Sequence, residues 1–266
     1  MNLMNRKPNL VIASFIVLVL LACNATFTVG YPTPTVEPPT QIPTSTAVPL
    51  SQQVILVSQP YIETNQDPAF TITAQIPQLS GSDDPRVQTI NQRFNEIVQK
   101  EIVIFRQEFA SRPVVDVSTN SFLEVTYGVI SQYDDIWSIK FSYAFYTNGA
   151  AHPGDFSHTI NYDLGAGHEL ALGDLFTPGS IYLETISKYC ITELGKQSFF
   201  EGPFNDGANP TLENYRNWNI TPDGLMITFD TYQVAPGAAG PQVVVIPYAQ
   251  LQAEIDPQGP LAGISR

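Results

Sequence analysis

Apolar and polar residues alternate in blocks from Val54 onward, and the blocks change period. Val54–Val57 is a short apolar run, and Phe70–Ile76 alternates apolar with polar, the mark of a half-buried strand. Gly81-Ser82-Asp83-Asp84-Pro85 then signals a helix start. Asp84 can accept from the free amides of the first turn, and proline fits the first helical position. Val87, Ile90, Phe94, Ile97, Val98, Ile102, Phe105 and Phe109 recur three and four apart, which predicts one long helix ending before Pro113.

The period then returns to two. Leu123, Val125, Tyr127 and Val129 form one face of a strand. After the turn SQYDD, Trp137, Ile139, Phe141, Tyr143 and Phe145 form another, with Ser138, Lys140 and Ser142 opposite, so a hairpin is expected. Phe156, His158, Ile160, Tyr162 and Leu164 alternate next, with Ser157, Thr159, Asn161 and Asp163 pointing the other way. A second helix is predicted over about 180–199, capped by Ser180, with Leu183, Ile186, Cys190 and Leu194 on one face. Trp218 and Ile220 lead into the turn Thr221-Pro222-Asp223-Gly224. Leu225, Ile227 and Phe229 return, and Val243–Ile246 forms a last strand before Pro247-Tyr248. This order predicts an α+β fold: antiparallel sheet or sheets with two main helices packed on one face.

The chain before Val54 has a different composition. Arg6 and Lys7 precede Leu10–Ala22, which is apolar or small throughout and short for a membrane span. The run ends in Leu20-Leu21-Ala22-Cys23, which resembles a bacterial lipobox. The resemblance implies lipidation at Cys23 and a mature chain held on the extracytoplasmic face of the bacterial cell membrane. An ordinary secretory signal and a retained anchor are the competing readings. Asn24–Leu50 is dense in Thr and Pro and has no Lys or Arg. Such a segment buries too little apolar surface to offset its ordering entropy, and its prolines favour an extended spacer of roughly 3 Å per residue. The expected organisation is a lipoprotein signal peptide over 1–22, a disordered tether over 23–50, an α+β segment over 51–147, a second α+β domain over 148–256 and a tail over 257–266.

Charge and cysteine content narrow the partners. The net charge is −13, and loss of Arg6 and Lys7 with a signal peptide makes it more negative. That argues against nucleic acid and favours basic partners. With Cys23 lipidated, Cys190 has no partner in the chain, so neither a disulfide framework nor a cysteine metal cluster can form. On its helical face Cys190 reads as a small buried hydrophobe.

Several stretches resemble one bacterial envelope family. Thr159–Phe176 (TINYDLGAGHELALGDLF) and Gly224–Leu251 (GLMITFDTYQVAPGAAGPQVVVIPYAQL) resemble signature segments of the extracellular domain of RsiV-type anti-sigma factors, which sense lysozyme. Tyr146–Gly154 (YTNGAAHPG) is similar to that family's glycine-rich turn. The segment ITAQIPQLSGSDDPRVQTINQRFNEIV resembles one that precedes the catalytic domain of PdaC-like peptidoglycan deacetylases. The resemblance covers about 54–251. It implies an α+β fold, an extracytoplasmic location and a binding or sensing role, with lysozyme, another basic wall-active protein or peptidoglycan fragments as partner. The resemblance is not expected to extend to the sigma-binding segment of the first group or to the metal-dependent deacetylase domain of the second, so neither activity is carried over. Matched to the family motifs, the residues expected to matter are Tyr146, Asn148, Gly149, His152, Tyr162, Asp163, Tyr232, Pro236 and Gly240.

All three histidines, His152, His158 and His168, fall within Gly149–Leu170, which raises the question of a metal or catalytic centre. Zinc sites favour at least one close His pair, whereas the spacings here are six and ten residues. His158 sits among side chains that cannot ligate. No Gly-x-Ser-x-Gly elbow exists, and no motif marks a glycosidase carboxylate pair. The expectation is a lipid-anchored binding module with no catalytic residue, no metal and no cofactor. The alternative is an envelope hydrolase, metal-dependent or not, built on His152, His158 and Asp155. A purely structural envelope lipoprotein is a third reading.

Overall fold

The computed structural model describes residues 48–110, 120–197 and 206–264. The expectations for 1–22, for Cys23 and for all but the last residues of the tether lie outside them, as do the Phe109 side chain and the end of the second predicted helix. No described helix is long and apolar enough to cross a membrane.

The fold is mixed α+β. Strands β1 (Ile55–Gln66), β2 (Ala69–Ser80), β3 (Ser121–Tyr133), β4 (Ile136–Tyr146), β5 (Gly154–Asp163) and β6 (His168–Glu169) form one sheet in sequence order. Its pairs are antiparallel except β2 and β3, which run parallel. The expectation of a purely antiparallel sheet is corrected here, and the cause is helix α1 (Pro85–Ala110). A helix between neighbouring strands carries the chain back to its starting end, so the next strand enters parallel.

Helix α1 begins as its sequence dictates. Pro85 is its first residue, and the Asp84 carboxylate accepts from the Arg86 amide at 2.9 Å. Arg86's guanidinium also pairs with Asp84 and holds that carboxyl down at about 2. The predicted stripe faces β2 and β3, with Ile90, Phe94, Val98 and Ile102 wholly buried against Ile72, Leu123, Val125 and Phe141. Burying each such side chain contributes about 1.5–3 kcal/mol.

A second sheet holds β7 (Trp218–Ile220), β8 (Gly224–Phe229) and β9 (Gln242–Pro247), all antiparallel. Its apolar face joins Leu175, Ile186, Cys190, Leu194 and Leu251 in a second core. Helix α2 (Tyr182–Leu194) packs on β9. The two helices therefore cover different sheets rather than one face. Helix α2 also starts later than predicted: Ser180 closes a turn onto the Thr177 carbonyl instead of capping.

The sheets meet edge to face. Strand β7 pairs with β8 along one edge, and its other edge lies on the polar face of β3, β4 and β5. Side chains of the large sheet complete that edge. The Trp218 amide donates to Thr159 Oγ1 at 3.0 Å, and the Trp218 carbonyl accepts from Asn161 Nδ2 at 2.8 Å. The Ile220 amide donates to Ser138 Oγ at 3.0 Å, and the Ile220 carbonyl accepts from Ser131 Oγ at 2.5 Å. Ser138 Oγ donates to Asn161 Oδ1 at 2.6 Å and accepts from Asn219 Nδ2 at 2.9 Å. Buried backbone groups must be paired, and here polar side chains take the place of a neighbouring strand.

Candidate functional site

A cleft of about 570 Å³ opens at one end of this assembly. One wall is the turn between β4 and β5, and the other is the loop between β8 and β9. The first wall is shaped by Gly149, in the left-handed region at φ +84°, and by the Asn148 amide donating to Ser121 Oγ at 2.8 Å. The second is tied down by Gln233, whose amide side chain donates to the carbonyls of Gly207 and Asn214.

Three contacts bridge the walls. Thr231 Oγ1 donates to Asp155 Oδ1 at 2.6 Å. The Ser157 amide donates to Asp230 Oδ1 at 2.8 Å, while Arg216 holds the other Asp230 oxygen at 2.7 Å. The Tyr232 hydroxyl lies 3.4 Å from His152 Nε2. His152 Nδ1 is 2.8 Å from the Pro153 carbonyl, which can only accept. Nδ1–H therefore donates to the Pro153 carbonyl, and Nε2 faces the Tyr232 hydroxyl. Tyr232 is itself unusual, with φ +71° on a bulky residue. Such conformations cluster at ligand sites.

The structure separates the three histidines. His152 is exposed in the cleft. His158 faces the helix side of β5, where burial pushes its pKa below the ordinary value. Its Nε2 is buried and has no hydrogen-bond partner among the described residues. His168 is exposed on β6. Among the described residues no three His, Cys, Asp or Glu side chains are grouped to hold a metal ion. Cys190 is buried, and its thiol is pushed up to about 12.

The other expected site residues divide in the same way. His152 and Tyr232 meet in the cleft. Pro236 and Gly240, the latter at φ +66°, bracket the short helical turn Gly237–Ala239 beside it. Tyr146 stacks on Phe122 with ring centroids 6.3 Å apart, and Asn148 is buried beneath the turn. Tyr162 and Asp163 lie at the far end of β5, where Asp163 Oδ1 accepts from the Ala166 amide. Tyr162 is buried there, and burial raises its pKa. Gly154 and Gly237 lie within the loops expected to carry binding, around 146–155 and 232–242, and line the cleft, whereas sequence reasoning missed Phe145 and Thr231, which line it too. Phe145 has the period of the core face and belongs in part to it, so its position on the strand alternation hid its second role.

Two family profiles match separate stretches of the chain. Residues 63–155 match the family profile described as "Deacetylase PdaC", and residues 173–249 match "Protein of unknown function (DUF3298)". The peptidoglycan-N-acetylmuramic acid deacetylase PdaC of Bacillus subtilis is 26% identical over 162 residues, covering 60% of this chain and 34% of the enzyme. An esterase of Mycobacterium tuberculosis is 28% identical over 92 residues, covering 35% of this chain and 40% of the esterase. The chain thus spans between a third and two fifths of these relatives' length. Two crystal structures share the fold. A DUF3298-family protein from Bacteroides fragilis superposes with a TM-score of 0.59 at 17% identity, over 80% of this chain and 97% of that one. A DUF3298-family protein from Pseudomonas aeruginosa gives 0.52 at 17%, over 77% and 94%.

Proposed function

We propose that this chain is a binding or sensing module of the bacterial cell envelope, anchored by lipid at Cys23 on the extracytoplasmic face, and that it performs no catalysis. The observation that carries the reading is the cleft between the two loop walls. It is concave, it joins loops that sequence motifs had marked separately, and it presents an exposed Tyr232 and His152 held by cross-wall hydrogen bonds. Its size falls among small-molecule sites, which run to roughly 300–1,000 Å³. The ligand is peptidoglycan-derived or a basic wall-active protein such as lysozyme. The likeness of the motifs to RsiV-type sensor domains and the name of the PdaC relative support that choice, and the charge of −13 suits a basic partner. Titration of the full chain with purified muropeptides and with lysozyme tests it. Saturable binding to one of them is expected, and binding to neither overturns the reading. Cys23→Ser should release the protein from the membrane fraction if the anchor is as proposed.

A second reading, an envelope hydrolase, is favoured by the names of the deacetylase and esterase relatives. Against it, no serine, cysteine or lysine lines the cleft among the described residues, and the Thr231 hydroxyl is bonded to Asp155 rather than to His152. Ester or N-acetyl hydrolysis by the wild type that is lost in His152→Ala would establish the hydrolase.

A further inference from the structure

Two aromatic side chains line the cleft, and each rests on a glycine. A Cβ placed on Gly237 would lie 2.2 Å from Tyr232 Cζ, 2.4 Å from its hydroxyl oxygen and 2.6 Å from Cε1. Atoms on either side of Cζ are nearly as close as Cζ itself. That pattern puts the glycine over the ring face, because an approach from beyond the ring edge would leave Cε1 much farther away than Cζ. A Cβ on Gly154 meets Phe145 the same way, at 2.5, 2.8 and 3.1 Å from Cζ, Cε1 and Cε2. Any other residue at 237 would lift the tyrosine ring. The missing side chain at Gly237 lets the ring lie over the backbone there, with 56% of Tyr232 exposed.

Around this platform the polar groups are few. Asp155 keeps acceptor capacity beyond its bond to Thr231, and His152 adds a ring edge. Among the described residues no lysine or arginine lines the cleft, and the charged side chain there that would face an anionic ligand is the Asp155 carboxylate. A bare ammonium group is bound best when several aromatic faces enclose it, and here one open face serves a space far larger than an ammonium needs. A flat apolar platform ringed by neutral and acceptor groups matches a sugar ring, which has an apolar C–H face and hydroxyls at its rim.

We infer that the cleft takes an uncharged pyranose ring laid on the face of Tyr232, with its hydroxyls directed to Asp155. This rests on the proposed binding role and narrows its ligand to the glycan rather than to peptide or protein. Calorimetric titration of the full chain with a trisaccharide of N-acetylglucosamine, with inorganic phosphate and with acetyl-lysine amide tests it. The trisaccharide should bind saturably and the other two should not. Tyr232→Ala and Gly237→Ala should each weaken trisaccharide binding roughly tenfold or more, the loss of a stacking contact and its preorganisation. Tyr232→Phe should retain most of the affinity, and thermal unfolding of the exposed-site variant Tyr232→Ala should match wild type. Trisaccharide affinity unchanged in both Tyr232→Ala and Gly237→Ala overturns the platform. Binding of phosphate or acetyl-lysine amide in place of the sugar overturns the ligand class. A chain that binds lysozyme or intact muropeptides but no trisaccharide overturns this inference and leaves the binding role standing, whereas a chain that binds none of them overturns both.

Discussion

The large sheet buries one face under helix α1 with Phe94, Ile90, Val98 and Ile102, and the other under strand β7 with Ser138, Thr159 and Asn161. The first face excludes water by area and dispersion, forces that tolerate small shifts. The second satisfies named donors and acceptors, and its geometry has little slack. Alternation along a strand therefore reports which face is apolar, and it does not report which face is buried. Ser138 and Asn161 are as inaccessible as Ile139 and Ile160 beside them.

The comparison can be broken most severely on the apolar side. Phe94→Ala should lower unfolding free energy by about 3–5 kcal/mol, measured by urea denaturation. A loss near 1 kcal/mol would mean that α1 is not the principal cover of that face. Asn161→Ala comes next. It removes the partner of the Trp218 carbonyl and an acceptor for Ser138, and should cost about 2–3 kcal/mol. Its effect should also appear as faster amide exchange along β7, a readout that Phe94→Ala need not single out. An Asn161→Ala cost within about 0.5 kcal/mol would show that β7 does not depend on the seam.

The third test uses acid. His158 is held neutral by burial, with its folded pKa below the ordinary 6.5. Above that value neither folded nor unfolded chain carries the proton, and the stability is fully present. As pH falls below it the unfolded chain takes up a proton that the folded chain resists, so stability is lost until the folded pKa is passed. The contribution to the slope is at most about 1.4 kcal/mol per pH unit. His158→Leu should flatten the pH dependence of the unfolding midpoint in that window, and an unchanged slope would move the acid sensitivity elsewhere. The smallest effect is expected at the surface pair of Arg93 and Glu169, 2.7 Å apart and more than a third exposed on both sides. Glu169→Gln should change stability by less than about 1 kcal/mol, and less still in high salt.

The sequence made the elements of the apolar side legible because their forces leave a period: the α1 stripe, the β3–β4 hairpin and the inward face of β5 all appear where the spacing put them. The parallel join of β2 to β3 was not read, since nothing in either strand encodes its direction and only the helix between them does. The seam was invisible for a different reason. Ser138, Thr159 and Asn161 look like solvent-facing residues until a strand about 60 to 80 positions later is laid across them. The candidate site shows the same limit. His152 and Tyr232 were each marked in their own loop, but their meeting depends on tertiary distance, and Gly237 reads as a turn residue until a ring is found lying on it.

Asp230 sits where β8 leaves the second sheet. It receives the Ser157 amide from the first sheet on one oxygen, and Arg216 and Asn217 on the other. Together with the seam it acts as an alignment key between two plates. The polar bonds fix how far one sheet can slide along the other, and Tyr232, two residues past Asp230, is set against His152 by that same fixing. Shortening Asn161 or removing the Asp230 carboxylate would take away bonds between the sheets without altering any group that lines the cleft.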